Sequence, residues 1–168
     1  MDVDDTGPVP VVEARAVVPV PPDVAFAVSQ TQAPVRYRWD PFVRSQLLVD
    51  ADRPGKGVQT LTRHRLGLVM VSEYVSYAPP RNVGMKMVRG PWFFARFGGG
   101  WQFLPGPTDG TTEAVWRYNF AIRPGWLAPV ADRIGVVVLG RDIRRRIAGY
   151  ARGCEDEVVL AAARETLG

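Results

Sequence analysis

The sequence predicts an α+β fold in which a curved antiparallel sheet of about seven strands wraps around a long C-terminal helix, with two short helices after the first strand. Three features point to it. Between Phe42 and Arg123, short runs rich in Val, Thr, Tyr, Phe and Trp are punctuated by Gly, Pro, Asn and Asp, the pattern of strands joined by turns. Only after Pro124-Gly125 do apolar residues recur at spacings of three and four, as on one face of a helix. A meander of that size must bury one face, and the late helix is the only substantial element able to cover it. A cavity between the sheet and that helix is a natural by-product.

The elements follow in order. Residues 1–10, acidic at first and ending at Pro8 and Pro10, read as a loose tail. From Val11, Val12, Ala14, Ala16 and Val18 alternate with Glu13, Arg15 and Val17, a strand that Pro19, Pro21 and Pro22 end. Asp23 or the prolines before it start a short helix over Val24 to Ser29, since proline suits a first helical turn. A second short piece runs from Pro34 to Tyr37 and is closed by Trp39-Asp40-Pro41, because a residue before proline is pushed out of the helical region. Strands are then expected at Val43 to Val49, Val58 to Arg65, Leu68 to Tyr77, Val83 to Arg89, Phe97 to Leu104 and Thr111 to Arg123. Turns rich in Gly, Pro and Asp join them, including Leu66-Gly67. Val136, Leu139, Ile143, Ile147, Tyr150, Cys154 and Val158 then mark one helix running nearly to the C-terminus.

Composition limits the function. With 168 residues, 46% of them hydrophobic and 23% charged, the chain reads as a single globular domain over residues 11–168, large enough for a core with an internal cavity. No apolar run approaches the ~20 residues of a membrane span, and the acidic N-terminus lacks an export signal, which places the protein in the cytoplasm. Cys154 and His64 are the only residues of their kinds, so neither an internal disulfide nor a structural zinc site is expected. No metal or cofactor is called for. Only Lys56 and Lys86 of the 21 basic residues are lysine, a bias that fits GC-rich coding as well as anion recognition.

Several residues could carry function. Trp116, Tyr118 and Phe120 share one face of the longest strand, with Glu113, Val115, Arg117 and Asn119 opposite. Val83, Met85 and Met87, with Trp101 and Phe103, offer a similar surface, and flexible Met beside flat aromatics suits a pocket for rings or chains. The same side chains could equally pack a dry core. His64 lies between Arg63 and Arg65, whose charges disfavour an imidazolium, so a neutral base is conceivable; no orienting partner is evident. Glu73 and Tyr77 share a strand face with Val71 and Val75. If that face is interior, Glu73 is a candidate acid or base; if Leu68, Met70 and Tyr74 point inward, it is a surface charge. Trp92, Phe93 and Phe94 sit in a turn, where large apolar groups are unusual, and are read as a pocket gate. Arg141, Arg144, Arg145 and Arg146 read as a solvated outer helix face, because no nucleic-acid-binding element accompanies them.

These residues resemble a known superfamily. The first strand, Pro21-Pro-Asp-Val-Ala-Phe26, Trp39-Asp40-Pro41, Glu73-Tyr-Val-Ser-Tyr-Ala-Pro-Pro-Arg81 and the terminal helix are similar to the SRPBCC superfamily, the helix-grip fold of START lipid-transfer domains and the birch-pollen allergen. Within it, Arg89-Gly-Pro-Trp-Phe-Phe-Ala-Arg-Phe97, Trp101, Thr112-Glu-Ala-Val-Trp-Arg-Tyr-Asn-Phe120 and Arg123-Pro-Gly125 resemble the polyketide cyclase/dehydratase group. The resemblance covers about Val11 to Asp156. It implies a deep pocket between sheet and helix for a hydrophobic or aromatic small molecule, to which Trp39, Leu139 and Ile143 would add. Some relatives cyclise and dehydrate polyketides there; others carry lipids, quinones or hormones. For turnover, Glu73, His64 or Tyr118 would move protons. The interior Arg that aromatase/cyclases use near the end of this strand would fall near Tyr77 or Ala78, and no Arg stands there. A carrier, sensor or cyclase-like binding protein, monomeric or homodimeric, is the leading expectation, ahead of an enzyme and of a protein-interaction module using the Trp92 loop.

Overall fold

The computed structural model describes residues 9–124, 126 and 128–167. Residues 1–8 of the expected tail, and Gly125 of the expected break before the helix, lie outside the described residues. Seven strands form one antiparallel sheet: β1 (Val11–Val18), β2 (Val43–Val49), β3 (Gln59–His64), β4 (Val69–Ala78), β5 (Asn82–Arg89), β6 (Phe94–Pro105) and β7 (Thr112–Ile122). Their spatial order is β1-β7-β6-β5-β4-β3-β2. The last six strands are thus a plain meander, and β1 closes its far edge by pairing along β7 from Val11 with Asn119 to Val18 with Thr112. At the β3 to β4 turn, Gly67 takes φ +87, a backbone that glycine adopts without steric cost.

Four helices complete the fold: α1 (Pro22–Ser29), α2 (Arg36–Trp39), α3 (Ala128–Gly153) and α4 (Glu157–Glu165). Pro22 stands in the first turn of α1, where no N–H is needed. The helix-grip arrangement holds, with α3 lying across β1 and β7. The expected single terminal helix is two helices. Asp156 accepts hydrogen bonds from the N–H groups of Val158 and Val159 at 2.9 and 3.2 Å, an N-cap that starts α4 afresh and lets it pack on α1. The inner stripe is correspondingly shorter than expected. Ile143, Ile147, Tyr150 and Cys154 are buried, but Val136 and Val158 are exposed.

The core joins α1, the inner faces of β1, β6 and β7, and α3. Trp39 anchors α2 to α3: its ring meets Tyr150 edge-on at 5.5 Å, and its indole N–H donates to Thr31 Oγ1 at 2.9 Å. Contact is close enough that a Cβ on Gly153 would stand 2.8 Å from that of Trp39, so glycine is required at this crossing.

Candidate functional site

Between the concave face of the sheet and α3 lies a cavity of about 130 Å³, far more than the ~10–15 Å³ that one water needs. Its two sides differ in chemistry. Met85 and Met87 on β5, Phe97 and Trp101 on β6 and Trp116 on β7 form an apolar wall, with the Trp101 and Trp116 rings stacked at 3.9 Å. Gln46, Thr60, Thr62 and Ser72, from β2, β3 and β4, form the opposite, polar wall. There Gln46 Nε2 donates to Thr62 Oγ1 at 3.1 Å, while Thr60 Oγ1 is buried with no hydrogen-bond partner among the described residues.

Two guanidiniums cover one end. Arg146 of α3 and Arg36 of α2 both line the cavity and share a single carboxylate, Asp40. Arg146 grips it with two hydrogen bonds, Nε to Oδ1 at 3.0 Å and NH2 to Oδ2 at 2.6 Å, and its NH1 donates to the Tyr118 hydroxyl. Its guanidinium lies 4.1 Å from the Phe42 ring centre and 4.2 Å from that of Trp116, the geometry of cation–π attraction. Arg36 donates from Nε to Asp40 Oδ2 at 3.0 Å and from NH1 to the Ser29 carbonyl at 2.6 Å.

Burial and pairing compete in this cluster. Burial by itself would raise the pKa of Asp40, but the charges of Arg146 and Arg36 outweigh it and hold the carboxyl at about 2. Burial pulls Arg146 down and Asp40 more than reverses this, so its proton is held more firmly than usual. Arg36 is shifted the other way: burial lowers its pKa, Asp40 offsets only part, and the like charge of Arg146 adds to the lowering. Burial raises Tyr118 well above the ordinary phenol value despite Arg146, leaving a neutral hydroxyl that can donate.

This arrangement corrects the expected solvated Arg face. Arg141, Arg144 and Arg145 are exposed, but Arg146 is buried, because it is in phase with Ile143 and Tyr150 on the inner face of α3. The chain has no Arg at Tyr77 or Ala78, yet its cavity holds two, supplied by helices.

Of the residues proposed from sequence to bind ligand, Met85, Met87, Trp101, Trp116 and Tyr118 line the cavity. Five others do not. Trp39, Phe103, Phe120 and Ile143 are buried core side chains, and Leu139 packs against that core; each belongs to the seam between helices and sheet. Glu73 lies on the outer face of β4, 3.4 Å from Lys86 Nζ, while Met70, Ser72 and Tyr74 face the cavity. The register shift between Tyr74 and Ser76, where Val75 is an extra residue on β4, turns Tyr77 inward, edge-on to Phe26 at 5.4 Å, although Glu73 earlier on the same strand points out. His64 ends β3 outside the cavity lining. Its Nδ1 accepts from the Leu66 N–H at 2.9 Å, and burial lowers its pKa, with Asp142 pulling the other way. Trp92 is 78% exposed, and Phe93 and Phe94 continue from it to cavity-lining Phe97 at ring spacings of 6.1, 4.7 and 5.0 Å. Arg146, Arg36 and the polar wall of Gln46, Thr60, Thr62 and Ser72 belong to the cavity without having been singled out from the sequence as site residues.

The sequence model of the family described as "Polyketide cyclase / dehydrase and lipid transport" matches residues 10–155. The chain belongs to this family. Solved structures share the helix-grip fold of this polyketide cyclase-like chain. A START superfamily protein from Mycobacterium smegmatis superposes with a TM-score of 0.67 at 10% identity, covering 86% of this chain and 97% of its own. The Zhui aromatase/cyclase from a Streptomyces species does so with a TM-score of 0.65 at 16% identity, covering 95% and 96%. A protein of Thermus thermophilus reaches 0.70 at 18% identity, covering 91% and 99%. No curated protein matches this cyclase-like chain in sequence. Among its described residues, no helix is long and apolar enough to cross a membrane.

Proposed function

We propose that this protein binds a hydrophobic or aromatic small molecule in the cavity under α3, as a carrier, sensor or cyclase-like protein. The observation that carries this reading is the apolar wall of Met85, Met87, Phe97, Trp101 and Trp116 facing a cavity of about 130 Å³; side chains that only filled a core would leave no such room. Trp92, Phe93 and Phe94 serve as the gate, a role supported by their continuity with Phe97. The test is uptake of the neutral fluorophore N-phenyl-1-naphthylamine. Wild-type protein should raise its emission saturably, and Met85→Trp, which fills the cavity, should abolish the effect while far-UV circular dichroism stays unchanged. Absence of saturable uptake by wild-type protein would sink the reading.

A cyclase or dehydratase activity is the second reading, supported by the neutral Tyr118 hydroxyl held by Arg146 inside the cavity. Such a group could donate to a substrate oxygen as charge develops on it. Turnover of aromatic polyketide intermediates by wild-type protein, reduced at least tenfold in Tyr118→Phe, is the expected outcome; equal rates would remove Tyr118 from the chemistry.

A further inference from the structure

Hydrogen-bond donors outnumber acceptors at the arginine end of the cavity. Arg36 and Arg146 bring two positive charges and Asp40 one negative, with the arginine side chains 9% exposed and the carboxylate fully buried. Asp142, one turn before Arg146 on α3, makes no ion pair with either guanidinium among the described residues and does not line the cavity, but its charge acts on Arg146 from behind and its Oδ2 is buried without a hydrogen-bond partner among the described residues, so the imbalance at the cavity is one of unspent donors facing the space. A guanidinium has five N–H groups. Arg146 commits three, two to Asp40 and one to Tyr118; Arg36 commits three, two to Asp40 and one to Ser29. Further N–H groups of both remain unspent, the Tyr118 proton has no acceptor among the described residues, and the Thr60 hydroxyl on the polar wall is unpartnered. All four side chains line the same space.

We propose that the cavity selects ligands in which an apolar ring system carries an anionic oxygen group of the carboxylate kind, received by Arg146, Arg36 and the Tyr118 hydroxyl while the rings lie on the Met85 and Trp101 wall. The inference rests on the ligand-binding reading above and specifies its ligand class. A neutral apolar occupant would leave the unspent N–H groups of both guanidiniums facing an apolar surface, which is costly. A carboxylate takes up the idle donors in the bidentate geometry that guanidinium favours.

The experiment compares 2-naphthoate with its neutral isostere 2-naphthamide by isothermal titration calorimetry at pH 7 and low salt. Wild-type protein should bind the naphthoate about tenfold or more tightly than the amide, and Arg146→Met should reduce that preference to about twofold or less. Because Arg146→Met also frees one face of Asp40 and could fail to fold, Tyr118→Phe provides a second arm. It retains the ion pairs and should weaken naphthoate severalfold while changing amide binding less. Equal affinities for the two probes, or tighter amide binding, would overturn the selection for anions and leave the ligand-binding reading standing. Binding of neither probe would overturn both.

Discussion

Asp40 and Arg146, 106 residues apart in the chain, meet through two hydrogen bonds of 3.0 and 2.6 Å in the buried end of the cavity. Asp40 closes the short helix α2 and Arg146 projects from the middle of α3, so the pair ties the N-terminal helical segment to the helix that the sheet grips. Arg36, four residues before Asp40, completes a group in which one carboxylate answers two guanidiniums.

Removing the carboxylate charge leaves two buried cations facing each other. Asp40→Asn is expected to lower unfolding free energy by about 3–5 kcal/mol, the range for breaking one side of a buried pair, as read from urea denaturation midpoints. A loss under about 1 kcal/mol would show that solvent relieves both guanidiniums.

Acid should have a matching effect. Asp40 has its folded pKa depressed to about 2 from 3.8, so its stabilisation is present above about pH 4 and is lost as pH falls toward 2. The shift corresponds to about 2 kcal/mol. Wild-type stability should therefore fall through this window by more than that of Asp40→Asn, a difference visible in thermal melts at stepped pH.

Glu73 and His64 stand outside the cavity lining, so Glu73→Gln and His64→Ala should leave N-phenyl-1-naphthylamine affinity within about twofold of wild type. Glu73→Gln loses only a pairing with Lys86, partly exposed and worth well under 1 kcal/mol. A large drop in affinity for either variant would bring that residue back into the site.

Thr60 carries a buried hydroxyl without a partner among the described residues. Thr60→Val keeps the shape and removes the group, so thermal stability should be unchanged or higher by about 1 kcal/mol. Naphthoate affinity should fall if that hydroxyl serves the ligand.

At the gate, Trp92→Ala should alter the rate of fluorophore uptake in stopped-flow measurements more than the equilibrium affinity, since Trp92 is exposed and meets the cavity only through its aromatic neighbours. Unchanged rates in both directions would remove it from the path of entry.

The order and kind of the elements were legible in the chain before any contact was known, because strand alternation, turn residues and helical spacing are local signals. Val11–Val18 alternates as β1, Gly67 makes its turn, and Ile143, Ile147 and Tyr150 share one face of α3. The apolar half of the cavity was also legible: Met85, Met87, Trp101, Trp116 and Tyr118 stand on strand faces that the two-residue period assigns together. Two local signals were present and unread, Arg146 in phase with Ile143 and Tyr150, and Asp156 placed to cap α4. The remainder depended on contacts between distant segments. The side of β4 that faces inward changes at one register shift, the extra residue Val75, and a slip of one residue exchanges the faces of a strand. All four of Trp39, Phe103, Trp101 and Trp116 are buried in the core, and packing of helices on the sheet decided that of these only Trp101 and Trp116 also border the cavity. Above all it set Arg36 and Arg146 around one carboxylate, since a charge can be read as solvated or buried only when its partner is known, and for Arg146 that partner lies far along the chain.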